Sequence, residues 1–441
     1  MPQIHAIPAV TYAAAPGTDL SDRIAPPYDV LDQASKQALL EKSEQNIVKI
    51  DLPYLPPKTV GPDAVYEEAG ETYRQWLENG TLARRDTPAL FVYQQTFATI
   101  RGDRFQRRGV IANLDVQPFG PGPEGRGGIY PHEQTFASAK EDRLKLMRAT
   151  EAQLSPIFGL YSDRENRVGP LLDEVIRNHP PTFKATTSDD GVLHELWAVD
   201  DPAAINRLRE SLGDHDVFIA DGHHRYTTAL NYKQELESQG KEPGGAAKCL
   251  FVLVSIQDPG MIVLPTHRVL GNMANYSMDA FREAAKGKLD ITPVPGTRPE
   301  ELAGPLSEAT GPHAVGLYDP SAEQPLAIAT TTDPDPLARR FPDQSDAWRQ
   351  LDVAIVQHLI VEDICQPSFC QEGEEVAWKF PHDIEEVARL TGEDDFQLGL
   401  VLRPTPLEAV QQISEAGELM PQKSTFFYPK LATGLVINPL D

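Results

Sequence analysis

Residues 217–229 read Val217-Phe218-Ile219-Ala220-Asp221-Gly222-His223-His224-Arg225-Tyr226-Thr227-Thr228-Ala229. The apolar run from Val217 to Ala220 predicts a buried strand. Asp221-Gly222 breaks it, and a helix-like segment begins near Arg225. Strand, tight turn and helix start in that order belong to an α/β or α+β core, with mixed sheets and flanking helices. The same corner carries chemistry. A helix start offers unpaired backbone N–H groups and a partial positive charge. Gly222, His223, His224 and Arg225 placed there suit a phosphate group. Asp221 can cap the helix or hold a divalent metal beside that phosphate. The plainer alternative is a capped turn with packed histidines. An acid, two histidines and an arginine crowded at one helix start favour the ligand. Adjacent histidines diverge, so one faces phosphate and the other a substrate or a carboxylate.

Outward from this turn, β and α signals alternate. Strands are predicted over 155–161, 193–199 and 249–257, and helices over 168–178 and 201–212. Thr135–Ala152 is the strongest helix pattern of the first half. Ala89–Ile100 and Phe105–Val116 flank Arg101-Gly102-Asp103 as a hairpin. Residues 63–79 place Val65, Ala69, Tyr73 and Trp76 on one helical face. Residues 3–14 predict an edge strand, and Asn46–Leu52 a further strand. A boundary is expected near 271–276. It would separate a phosphate-binding region, 1–272, from a C-terminal α+β region, 273–441, whose 420–434 segment returns to the site. Helices are expected at 277–288, 346–364, 383–391 and 406–416, and strands at 396–402 and 435–437.

Composition limits the function classes. Of 441 residues, 65 are acidic and 40 basic, a formal net charge of -25. That balance disfavours coating nucleic acid or an anionic membrane, but allows one locally positive cleft. The three cysteines, Cys249, Cys365 and Cys370, argue against a disulfide framework and for a reducing cytoplasm. No apolar stretch long enough to span a bilayer is present. The Gly120–Gly128 loop spells G-x-G-x-x-G, yet prolines fill two spacers and no helix pattern follows, so the dinucleotide reading is rejected. A P-loop sequence and a nucleophile elbow are both missing.

Two further segments carry candidate chemistry. In Tyr130-Pro131-His132-Glu133-Gln134-Thr135, His132 and Glu133 precede a helix, where either can act as acid or base. Lys140 and Arg143 follow on one face, and a charged surface helix is the competing reading. In Met420–Gly434, Lys423, Ser424, Thr425 and Lys430 can form a C-terminal phosphate clamp, against a buried aromatic strand with outward lysines. Thr266-His267-Arg268 reads better as a hydrogen-bonded histidine than as a cation site. Tyr28-Asp29 reads as a rigid turn that can line the cleft. Arg101, Arg104, Arg107 and Arg108 on the hairpin read as a solvated set split between two faces.

These residues resemble a known family, the domain-of-unknown-function 1015 family of bacteria and archaea. The likeness rests on Ala25–Val30, Asn46–Pro53, Tyr130–Thr135, Leu154–Tyr161, Ile219–Tyr226, Pro265–Arg268 and Met420–Lys430, in order along the chain. The Asp221-Gly222-His223-His224-Arg225 stretch is more distantly similar to the phosphate-binding turn of the ParB/sulfiredoxin superfamily, whose free serine kinases carry an Asp-Gly-His-x-Arg version. That similarity implies a strand-turn-helix core in which Asp221 is a metal or substrate ligand and His223 and Arg225 hold phosphate. The turn contains no cysteine, which argues against sulfinic-acid repair. Length and acidity argue against DNA partition.

The expected function is a cytoplasmic small-molecule phosphotransferase using Mg²⁺ and a nucleotide, ATP or ADP, with a serine-like free amino acid as a candidate acceptor. Asp221 would hold metal, and Glu133 or His132 would take the hydroxyl proton. His223, His224, Arg225, Lys423 and Lys430 would surround phosphate. Two alternatives remain open, a metal-assisted phosphatase and a non-catalytic nucleotide sensor. The expected partners are a small-molecule substrate and a nucleotide, without nucleic acid or membrane.

Overall fold

The computed structural model describes residues 2–99, 102–122, 125–213, 215–311, 313–393 and 395–441. The chain divides into two units. The first takes the chain up to Ile262 together with Pro429–Asp441, and the second is Val263–Tyr428.

The first unit is built on a ten-stranded mixed sheet. Its order is Thr18–Asp19, Phe183–Thr186, Leu193–Val199, Leu90–Ala98, Arg104–Asp115, Lys248–Ser255, Ile157–Tyr161, Val217–Asp221 and Ile129–Tyr130. Ile4–His5 also pairs antiparallel with Arg104–Asp115. The expected hairpin is the antiparallel pair Leu90–Ala98 and Arg104–Asp115, with Phe91 opposite Ile111. Leu90 to Gln95 are all buried, as in a strand covered on both faces. Lys248–Ser255 runs parallel to Ile157–Tyr161, which in turn pairs antiparallel with Val217–Asp221. The register slips between Ile219 and Asp221, so Ala220 is a bulge. A bulge bends its strand and sharpens the twist, and this one falls immediately before the Gly222 turn.

Near that turn Asp63–Glu78 packs on Ala137–Thr150, which together with His223–Ser238 contributes side chains to the core of the sheet. Ala69, Tyr73 and Trp76 are buried on the expected face of the first. A Cβ at Gly70 would stand 2.2 Å from the Ala149 carbonyl oxygen, so glycine permits this helix pair to close up. Tyr226, Phe251 and Leu253 anchor the core beneath the sheet. Full burial of such a side chain contributes about 1.5–3 kcal/mol.

The second unit has a six-stranded antiparallel sheet in the order Leu289–Val294, Leu326–Thr331, Ala314–Tyr318, Phe396–Val401, Arg268–Gly271, Ala377–Lys379. Phe281, Ile360, Leu398 and Leu400 belong to its main core.

Several expectations change. Asn46–Leu52 is not a strand, because Val48–Asp51 is a short helix. Asn46 explains this: its Oδ1 accepts the Val48 N–H at 3.0 Å, while its Nδ2 donates to the carbonyls of Asp22 and Ile24. A side chain that bonds the backbone two residues on competes with a ladder. Residues 3–14 split into Ile4–His5 and Val10–Tyr12, which pair with different strands. The helix expected over 346–364 breaks into Asp346–Arg349, Asp352–Ala354 and a π-helical stretch, Ile355–Cys365. Of the second sheet the sequence analysis assigns only the strand at 396–402; Leu289–Val294, Leu326–Thr331, Ala314–Tyr318, Arg268–Gly271 and Ala377–Lys379 are strands that it does not assign. Arg101, in the hairpin arginine set, lies outside the described residues.

Candidate functional site

The helix His223–Ser238 starts directly after Gly222, whose φ is 99°. That left-handed backbone is costly for any residue with a Cβ. A Cβ at Gly222 would also lie 3.1 Å from Arg225 Nε. Glycine therefore serves the turn and leaves room for the guanidinium folded over it. No side chain caps this helix. By contrast, Asp201 caps Pro202–Leu212 by accepting the Ala204 N–H at 2.8 Å.

Asp221 was expected as a possible cap, but its carboxylate turns to cations. Oδ2 accepts from Arg225 Nη2 at 2.6 Å, and Oδ1 accepts from Lys430 Nζ at 3.2 Å. Arg225 Nη1 donates to the Pro156 carbonyl. Burial pushes the Asp221 carboxyl up, but Lys430 and Arg225 outweigh it and hold the group well below the usual carboxylate range.

The histidines act differently from cations. His223 is buried, and its Nε2 accepts the His132 backbone N–H at 3.2 Å. Its Nδ1 stands 3.8 Å from Glu133 Oε2. The His132 and His223 rings meet edge to face with centroids 4.6 Å apart. Burial lowers the pKa of both; for His223 the His132, His224 and Arg225 charges lower it further and Asp221 opposes them, while Glu133 and Asp221 partly offset burial at His132. His224 Nε2 accepts the Phe136 N–H at 3.0 Å, and its ring stacks on Phe136. Its pKa is lowered too, by burial and then by the Lys58 charge. Neutral His223 and His224 thus fasten the 132–136 loop to the turn. The positive charge comes from Arg225, Lys430 and Lys58.

Lys58 and Asp29 join the site without a strong sequence signal. Asp29 lies in the short 3-10 turn Tyr28–Val30 and pairs with Lys58 at 3.1 Å. Its Oδ1 is buried without a hydrogen-bond partner among the described residues. Burial and the Asp221 charge raise its pKa; Lys58, Lys430 and Arg225 more than offset this, leaving it below the ordinary value. Pro26-Pro27 before Tyr28 hinted at a fixed turn, whereas Lys58 sits in a proline-rich loop that gave no hint.

Glu133 is half-exposed ahead of the helix Ala137–Thr150. Arg143 on that helix corrects the charged-surface reading. It is buried, with Nε donating to Asp142 Oδ2 at 2.8 Å and Nη1 to the Asp51 carbonyl at 2.6 Å. Lys423, Ser424 and Thr425 belong to the second unit. There the Lys423 carbonyl accepts from Arg268 Nη2 at 3.0 Å, and the Ser424 carbonyl accepts from Thr405 Oγ1 at 2.7 Å. His267 Nδ1 accepts the Leu402 N–H at 3.1 Å, a structural histidine.

Among the described residues, no cluster of three or more His, Cys, Asp or Glu side chains forms a metal cage. Mg²⁺ needs fewer protein ligands, one or two carboxylates beside phosphate and water. Asp29, with its orphaned Oδ1, fits that demand, whereas both oxygens of Asp221, the expected metal ligand, are taken by Arg225 and Lys430. Among the described residues, no helix is long and apolar enough to cross a membrane.

The chain belongs to the family described as "Protein of unknown function (DUF1015)", whose model matches residues 4–354. No curated protein matches it. Solved structures similar to it include a free serine kinase in complex with AMP, at 13% identity and a TM-score of 0.33, covering 70% of this chain and 88% of that one. A conserved hypothetical protein from Pyrococcus furiosus is 14% identical with a TM-score of 0.30, over 70% of this chain and 92% of that one. SbnI with a C-terminal truncation, from Staphylococcus aureus, is 9% identical with a TM-score of 0.35, over 75% and 87%.

Proposed function

We propose that this protein is a small-molecule phosphotransferase that uses a nucleotide, ATP or ADP, with Mg²⁺. The observation that carries the reading is the uncapped helix start at Gly222, joined to the charge cluster Arg225, Lys430, Asp221, Lys58 and Asp29. In phosphoryl transfer the protein mostly positions groups and neutralises charge. First-turn N–H groups would take phosphate oxygens, with Arg225 and Lys430 beside them. Asp221 keeps those two cations converged. Asp29 would hold Mg²⁺, which when bound neutralises phosphate charge.

Glu133 is the base for the acceptor hydroxyl, with His132 as its alternate. His223 Nε2 accepts a backbone N–H, so the neutral ring carries its proton on Nδ1, the atom nearest Glu133. The acceptor class, a free amino acid or similar hydroxyl compound, is supported by the likeness of Asp221–Arg225 to the Asp-Gly-His-x-Arg turn of free serine kinases. Localisation to the cytoplasm is part of the same reading.

Thermal unfolding with ATP or ADP, with and without Mg²⁺, is the first test. Ligand at about 100 times its Kd stabilises the folded state by about 2.7 kcal/mol. A shift of several degrees is expected. No shift with ATP, ADP or CTP plus Mg²⁺ at millimolar concentration removes the reading. Phosphate transfer to pooled hydroxyl metabolites, read by mass, then identifies the acceptor. Phosphate release from substrates without nucleotide would point to a phosphatase. Binding without turnover that survives Asp221→Ala and Glu133→Gln would point to a sensor.

A further inference from the structure

Beside the Gly222 turn, the first unit holds a cavity of about 40 Å³. Asp51, Arg143, Ser155 and Arg225 line it with polar groups, and Met147 and Ile157 with apolar ones. Arg143 is 6% exposed. Its Nε and Nη1 are spent on Asp142 and on Asp51, but its Nη2 is buried with no hydrogen-bond partner among the described residues. A buried donor left this way is destabilising, and native structures satisfy it with a ligand or an ordered water.

What the void offers an anion is one unpaired donor rather than excess positive charge, since both lining arginines already face carboxylates. Two guanidinium groups line it, Arg143 and Arg225, against one carboxylate, Asp51. Asp142 and Asp221 pair with these arginines from outside the lining. Asp51 is itself engaged: its Oδ2 accepts from Ser155 Oγ at 2.9 Å, and its Oδ1 lies 3.4 Å from Arg143 Nη1. Burial raises the Asp51 pKa, against the Arg143 charge and the Ser155 hydrogen bond, which lower it. The space is a few water volumes, enough for a carboxylate head and too little for a whole metabolite. Arg225 lines the cavity while its Nη2 holds Asp221, so one guanidinium borders both the cavity and the proposed phosphate site.

We infer that this cavity receives the carboxylate of the acceptor, with Arg143 Nη2 donating to it, so that the acceptor class is a small hydroxy acid or hydroxyl-bearing amino acid. The word acceptor rests on the phosphotransferase reading; the carboxylate site stands on the cavity and its orphaned donor.

The test is ligand-observed NMR on the full chain with formate, L-serine and glycerate, against ethanolamine and glycerol, which keep the hydroxyls and lack the carboxylate. The three acids should bind at tens of millimolar or tighter, and the two controls should not. Arg143→Lys removes the orphaned donor, and Ala152→Val narrows the void without touching a charge. Each should weaken the acids by about tenfold or more while nucleotide-dependent stabilisation persists. If Arg143→Lys does not fold, Ala152→Val decides. Absence of acid binding to the parent protein, equal binding of glycerol and glycerate, or full retention of formate in Ala152→Val would overturn the inference and leave the cavity to water. Acid binding that meets these criteria without any nucleotide response would support the carboxylate site and remove the phosphotransferase reading.

Discussion

His267-Arg268 in the second unit and His223-His224-Arg225 in the first use the same residue types with different partners. Arg268 is buried over the Phe380 ring and donates to the carbonyls of Thr266 and Lys423. Burial alone pulls its pKa down to about 9. Arg225 instead meets a carboxylate that is shared with Lys430, at the start of an uncapped helix. The first arrangement spends both terminal nitrogens of Arg268 on fixed backbone carbonyls. The second gathers charge around a helix end whose own N–H groups no side chain takes. Residue type therefore does not distinguish scaffold from site; the counter-charges and the open helix end do.

The sharpest way to break this comparison is a matched pair of substitutions. Arg225→Met leaves Asp221 with Lys430 as its remaining cation and should cost about 3 kcal/mol, with loss of nucleotide-dependent stabilisation. Arg268→Met removes hydrogen bonds to carbonyls and should cost about 1–2 kcal/mol, with the nucleotide response intact. Urea unfolding and thermal shifts read both, and an equal nucleotide response in the two variants would erase the distinction.

A second test uses pH. His223 and His267 both have folded-state pKa values below the unfolded value, His267 at about 3. Below about pH 6.5 the unfolded chain binds protons that the folded chain refuses, so stability falls as pH falls. Each histidine contributes up to about 1.4 kcal/mol per pH unit. For His267 that loss runs from about pH 6.5 down to about 3. Asp221 behaves separately: its depressed pKa gives stability that is present above about pH 3.9 and lost only below it. Between roughly pH 7 and 5, His223→Gln and His267→Gln should each flatten the slope of stability against pH. Unchanged slopes in both would contradict the buried neutral state.

The smallest effect is expected at the turn. Gly222→Ala should cost about 1–2 kcal/mol for the left-handed backbone, and the methyl should push on Arg225. Nucleotide affinity should fall more than this modest destabilisation explains. An alanine variant that binds nucleotide as tightly as the parent would show that the folded-over guanidinium is not needed.

Local signals made much of this legible. The hairpin, the strand before Asp221, the glycine break and the helix after it follow from apolar runs and breakers within a few residues of each other. The rest depends on distant chain. Tyr28-Asp29 reads as a turn that can line the cleft, but nothing near Lys58 announces that it joins Asp29 there. Arg143 reads as surface charge until Asp51 and Asp142 close around it. Asn46 turns a strand-like run into a helix through contacts with residues more than twenty positions away. Lys430 was legible as a cation near phosphate-friendly hydroxyls, but its neighbours Lys423, Ser424 and Thr425 fold into the other unit.

Asp221 and Lys430 are 209 residues apart in the chain. At about 5–20 residues per second of synthesis, roughly 10–40 seconds separate their emergence from the ribosome. During that interval the newly made first half lacks the lysine that shares the aspartate with Arg225. The ion pair is thus completed late in translation, and a message that stalls inside the intervening unit yields a product without it.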